Sequence, residues 1–155
     1  MCKLSPNSIQ SIVFLDPICF CLHAPFVTKN FVYQLPDPGS TSYCIRTDAL
    51  IHWTIQRNFP WARICLFTEE MPSVPCSIFL SEKDAIVPTD RVQNYLTGKG
   101  KYILHGCGAD NCTCFQSNTR DGQGHLFLFH DIGHGDWIGW SFMRDKIIQA
   151  VNNGL

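Results

Sequence analysis

Two stretches hold residues suited to acid–base chemistry. In "SEKDAIVP" (Ser81 to Pro88) an aspartate, Asp84, stands in a polar loop directly behind an apolar run. In "HDIGHGDWIGW" (His130 to Trp140) a histidine, His134, stands between two glycines behind another such run. A carboxylate that accepts one ring N–H of an imidazole fixes its tautomer and leaves the other nitrogen free to take a proton. Taken singly, each residue has a plainer use: Asp84 as a turn or capping residue, His134 as part of a tight strand-to-helix connection. Taken together, acid first and histidine later, each just past a strand, they suggest a base with its orienting acid. Asp16, in "FLDP", is a second candidate acid, although an aspartate before proline also simply ends a strand.

The elements that would position this pair follow from hydrophobic patterning. "SIVFL" (Ser11 to Leu15), "CSIFL" (Cys76 to Leu80) and "HLFLFH" (His125 to His130) are short, continuous apolar runs, as expected of strands buried on both faces of a parallel sheet. Between the first two lies a helical excursion. Ile18 to Phe31 reads as a helix kinked at Pro25, and Thr47 to Asn58 as a helix capped by Thr47 or Asp48. The broad apolar face of the second carries Leu50, Ile51, Trp53, Thr54 and Ile55. Thr89 to Leu96 is a short helix with Val92, Tyr95 and Leu96 along one side. Asp136 to Val151 is the last helix, with Asp136 as N-cap and an inward stripe of Trp140, Met143, Ile147, Ile148 and Val151. Gly98 to Gly124, rich in glycine, polar residues and cysteine, reads as an irregular insertion. Strands alternating with helices define the α/β class, and ligand-facing groups in such sheets gather beyond the carboxyl ends of the strands.

Composition narrows the function classes. The 155 residues are 45% hydrophobic and 16% charged, with a net charge of −1 and no basic block, so nothing points to nucleic acid. The apolar start is interrupted by Asp16, Pro17 and His23, which argues against a membrane span or a cleaved leader. Nine cysteines, most of them within apolar segments, read as buried thiols of a reduced compartment and favour the cytoplasm. Cys107, Cys112 and Cys114, with His105 nearby, do not match paired zinc-knuckle spacing, so no metal is expected there. Trp53, Phe59, Trp61 and Phe67 either line an acyl pocket or are simply core.

"SIFLSEKDAIVPTDRVQNYL" followed by "FHDIGHGDWI" resembles the C-terminal half of an α/β-hydrolase. "SIVFLDPICFCL" is similar to the strand that leads into that family's lid helices, and Cys19 to Leu66 resembles the lid of its large fungal and algal branch. The resemblance implies a partial α/β-hydrolase domain spanning residues 1–155, with parallel strands flanked by helices and a lid-like region at 19–66. It also implies Asp84 as triad acid, His134 as general base, a small-molecule ester as substrate and no cofactor.

One departure bears on mechanism. The family's serine nucleophile sits in an upstream G-x-S-x-G elbow, and no such motif occurs here. Ser40 ("PGSTS") and Ser141 ("GWSFM") lack the flanking glycines, and Cys107 ("HGCGAD") falls between acid and base rather than before both. The expectation is therefore a fragment of a serine hydrolase, inactive alone. The alternative is a non-catalytic binding module of the same fold.

Overall fold

A computed structural model describes residues 8–39, 41–71, 74–98, 102–105, 111–117 and 124–153. Five strands form one mixed sheet in the order β1-β2-β5-β4-β3. β1 (Ile12–Leu15), β2 (Cys76–Ser81) and β5 (Gly124–Phe129) are the three runs recognised from apolar content, and they pair in parallel. The chain is thus of the α/β class, with helices packed on the sheet.

The stretch read as an irregular insertion contains a hairpin instead. β3 (Tyr102–His105) and β4 (Cys112–Ser117) are antiparallel, and β4 joins the sheet antiparallel to β5. The physical reason lies in "CTCFQS". Buried Cys112 and Cys114 alternate with half-buried Thr113 and Phe115, a two-residue period once cysteine is counted as a small hydrophobe. Cys107 lies outside the described residues.

Alternation along the central strands divides the core into two layers. Ile78, Leu80, Leu126 and Leu128 face Phe20, Leu22, Val27, Val87, Val92 and Leu96. Phe79, Phe127 and Phe129 face Ile132, Met143, Ile147 and Ala150. The Phe79 and Phe127 rings stack with centroids 4.6 Å apart. The first layer is covered by the excursion and by α5 (Thr89–Thr97), whose Val92 and Leu96 are buried as expected.

The excursion is helical but more broken than its patterning suggests. A 3-10 turn (Ile18–Cys21) gives way to α1 (Pro25–Thr28), which continues as a π-helical turn (Lys29–Tyr33). Pro25 begins a new helix because the residue before proline is driven to extended backbone. After α2 (Thr41–Thr47), Asp48 rather than Thr47 caps α3 (Ala49–Trp53), accepting from the Leu50 and Ile51 amides at 3.0 Å each. The apolar face of α3 is not buried against the described residues, for Leu50 is 77% exposed and Trp53 57%. α4 (Trp61–Ile64) completes the excursion. Phe59 and Trp61 pack on Phe31, with ring centroids 5.8 and 5.9 Å away.

The last helix also differs from expectation. Asp136–Gly139 is a separate 3-10 turn, and α6 (Ser141–Asn153) starts only after extended Trp140. Asp136 does not cap that helix; its carboxylate reaches back to the Gly133 amide at 2.8 Å. The inward stripe is Met143, Ile147 and Ala150, whereas Trp140, Ile148 and Val151 are exposed. The expected face was drawn too wide: Ile148 and Val151 each lie about 100° round the helix from the buried residue before them, and Trp140 precedes the helix in extended backbone. No helix among the described residues is long and apolar enough to cross a membrane.

These assignments can be checked by urea unfolding. Phe129→Ala should cost about 3–5 kcal/mol, as for other fully buried aromatics. Val151→Ala should stay within about 0.5 kcal/mol, as for an exposed site. Equal losses at the two positions would contradict the phase of α6.

Candidate functional site

The carboxyl ends of β1, β2 and β5 lead into three loops that meet. β2 runs into Glu82-Lys83-Asp84, and β5 into the turn His130 to Gly135. Backbone bonds join the two: Glu82 N–H donates to Phe129 O at 2.9 Å and Lys83 N–H to Ile132 O at 2.8 Å. Exposed pairs decorate the seam, with Lys83 Nζ 2.8 Å from Asp131 and the Asp131 amide donating to Glu82 at 3.0 Å. Such solvent-facing pairs add little stability.

Within this frame Asp84 and His134, the two predicted site residues, are brought together. His134 Nδ1 lies 2.7 Å from Asp84 Oδ2. The other carboxylate oxygen, Oδ1, accepts the Ile86 and Val87 amides at 2.7 and 2.8 Å. The Asp84 side chain is 0% exposed, so its orientation is set on both oxygens. Because an ionised carboxylate only accepts, Nδ1 carries the proton and Nε2 of the neutral ring presents a lone pair. Nε2 has no hydrogen-bond partner among the described residues, and the ring is 37% exposed.

Asp16, weighed as a second acid, has a different place. It does not bond the imidazole. Its Oδ1 accepts the Ser81 amide at 2.8 Å, and its Oδ2 accepts the Ser81 hydroxyl and the Gly135 amide, both at 3.0 Å. The side chain is buried, and its backbone sits at φ 42, where a non-glycine residue is uncommon. Gly135, at φ 77, adopts the left-handed turn that presents its N–H to Asp16. Gly133 is constrained by space, for a Cβ there would come within 2.9 Å of Asp136 Oδ2. Of the two glycines flanking His134, Gly135 is therefore the one the turn requires.

Electrostatics follow from the two carboxylates. His134 is raised above its ordinary value of 6.5, first by the hydrogen bond to Asp84, against burial, with the Asp84 and Asp16 charges adding to the rise. Asp16 is also raised, because burial outweighs the Gly135 and Ser81 hydrogen bonds that favour its anion. A raised imidazole contributes stability in full below pH 6.5 and loses it as pH rises through the folded value. Asp16 has the same sign: its raised pKa favours the fold at low pH, and that contribution declines as pH rises through the folded value.

The ring nitrogen and the two carboxylates lie within 4.8 Å of one another, a spacing also compatible with a cation. Their facing lone pairs are already used by the Asp84–His134 bond and the Asp16 contacts.

His134 forms part of the wall of a cleft of about 390 Å³. One side comes from the excursion (Leu35, Pro36, Ile45, Arg46) and the other from the loops (Ala85, Ile86, Gly133, His134). None of Trp53, Phe59, Trp61 and Phe67 lines it, so the apolar lining is aliphatic rather than aromatic. Arg46 and Ser81 were not anticipated. Neither carries a local signal: Arg46 is a lone basic residue in "CIRTD", and Ser81 is the last residue of a strand. Of the alternative nucleophiles, Ser141 opens α6 and has no bond to His134, while Ser40 and Cys107 lie outside the described residues.

No family model matches this chain, and no curated protein or solved structure matches it either.

Titration of the histidine resonances should place His134 above the ordinary imidazole range. Asp84→Asn should lower it most, and Asp16→Asn by a smaller amount, in the order of their contributions. An unchanged His134 titration in Asp84→Asn would show that the pair does not form in solution.

Proposed function

We propose that the chain carries the acid and base of a serine-hydrolase site, as the C-terminal portion of an α/β-hydrolase domain acting on esters or similar acyl bonds. The observation that carries this reading is the 2.7 Å bond between buried Asp84 and His134, with Nε2 left free beside a cleft. Asp84 holds the tautomer and stabilises the imidazolium. His134 Nε2 takes the proton of a serine hydroxyl as its oxygen attacks the acyl carbon, then returns it to the leaving alcohol; water reverses the sequence. The excursion between β1 and β2 acts as the lid over the cleft.

The serine is a residue outside this sequence, on a strand laid along β1. Among the described residues β1 is a terminal strand paired with β2 alone, and Asp16 at its carboxyl end is tied to the His134 loop. A further parallel strand on that edge would end close to Nε2. The competing reading, a binding module without turnover, is favoured by one observation: no described hydroxyl or thiol bonds His134.

The purified 155-residue chain should not label with a fluorophosphonate probe; clear labelling would refute a nucleophile supplied from elsewhere. Transcript sequence before Met1 should contain an in-frame G-x-S-x-G, and an open frame without one would favour the binding module. In the joined protein, His134→Ala should lower ester turnover by about 10⁴–10⁶ at unchanged fold.

A further inference from the structure

The cleft contains a charge that the acid–base pair does not use. Arg46, in α2, is only 9% exposed, yet no carboxylate among the described residues pairs with it. Its Nη2 donates to Gln34 O at 2.9 Å, and its guanidinium lies over the Phe31 ring at 5.4 Å from the centroid. Burial alone displaces its pKa, downward, with no opposing contribution from an acid. A guanidinium has five N–H donors. Gln34 takes only part of that capacity, and Arg46 lines the cleft.

The other charges around this space are engaged. Lys83 is paired with Asp131 at 2.8 Å, Asp136 accepts the Gly133 amide, and the Asp84 side chain is shielded from solvent. Leu35, Pro36, Ile45 and Ile86 supply aliphatic wall. Desolvating a cation without a counter-ion is unfavourable, and an anionic ligand relieves it. One planar fork beside aliphatic walls suits a carboxylate on a short apolar chain, whereas a phosphate dianion calls for more positive charge than the single free guanidinium here.

We infer that this cleft binds a small molecule bearing a carboxylate, held by Arg46 opposite His134. Resting on the hydrolase reading for the bond that reacts, the substrate class is a half-ester of a dicarboxylic acid. Its free carboxylate sits on Arg46 and its ester carbonyl lies at His134. Arg46 is then the specificity residue that distinguishes half-esters from neutral esters.

Calorimetric titration of the full chain with monomethyl glutarate, dimethyl glutarate and inorganic phosphate tests this without requiring turnover. The half-ester should bind about tenfold or more tighter than the diester, the scale of one charge-assisted contact. Arg46→Gln should abolish that preference, and Arg46→Lys should keep part of it. Because the calorimetry reads binding and not turnover, failure of the anion site and failure of the hydrolase reading are distinguishable. Equal affinity for the two esters in the wild-type chain, or no binding of either, would overturn the proposal whatever the variants do. Phosphate binding as tightly as the half-ester would overturn the carboxylate assignment.

Discussion

The buried carboxylate of Asp16 binds the ends of three parallel strands into one unit. It closes β1, takes both the amide and the hydroxyl of the last residue of β2, and takes the amide that follows His134. A charge in that position is tolerable only because each oxygen is hydrogen-bonded, and removing it would strand buried donors at about 1–3 kcal/mol each. Ser81, in turn, accepts the Thr89 hydroxyl at 2.6 Å through its carbonyl, which carries the constraint on to α5. The geometry of the acid–base pair is thus inherited from a residue that makes no contact with the imidazole.

That arrangement separates two roles for two acids of the same type. Asp84 has one oxygen held by two amides of its own loop and the other aimed at Nδ1. Asp16 spends both oxygens on holding loops. Its charge still acts on His134 at a distance, and with Asp84 it keeps the ring basic. A more basic imidazole is a better proton acceptor but is neutral only toward higher pH, so any reaction that uses Nε2 as base should gain rate as pH rises through that titration.

The two walls of the cleft differ in kind. Its loop side places two carboxylates beneath an imidazole, while its helical side presents a guanidinium held by a carbonyl and an aromatic face. The helical side is built from short segments with exposed apolar residues, such as Leu50 and Trp53. The loop side rests on the most deeply buried part of the sheet, where every residue of β2 is buried. Rigid support for the acid–base pair and looser support for the opposite wall follow from that difference in packing.

Much of the frame is legible in the residues themselves. Continuous apolar runs mark β1, β2 and β5: the central β2 and β5 are buried on both faces and need no alternation, and half-buried β1 shares the pattern. Asp84 and His134 stand out because each follows such a run in a loop. β4 was hidden because its alternation depends on cysteines, and β3 because it is a short run flanked by glycines. The phase of α6 was misjudged because six apolar residues within one helix admit more than one inward face. Local sequence thus determined the α/β class, the parallel strands and the choice of Asp84 and His134 as candidate residues, since these depend on short-range pattern and residue type. Only tertiary structure decided that Asp84 rather than Asp16 bonds the imidazole, that Asp16 links the three loops, and that Arg46 faces the same cleft. Those relations join residues 65, 50 and 119 positions apart, or across the two walls of the cleft, and such separations leave no periodic trace in the chain.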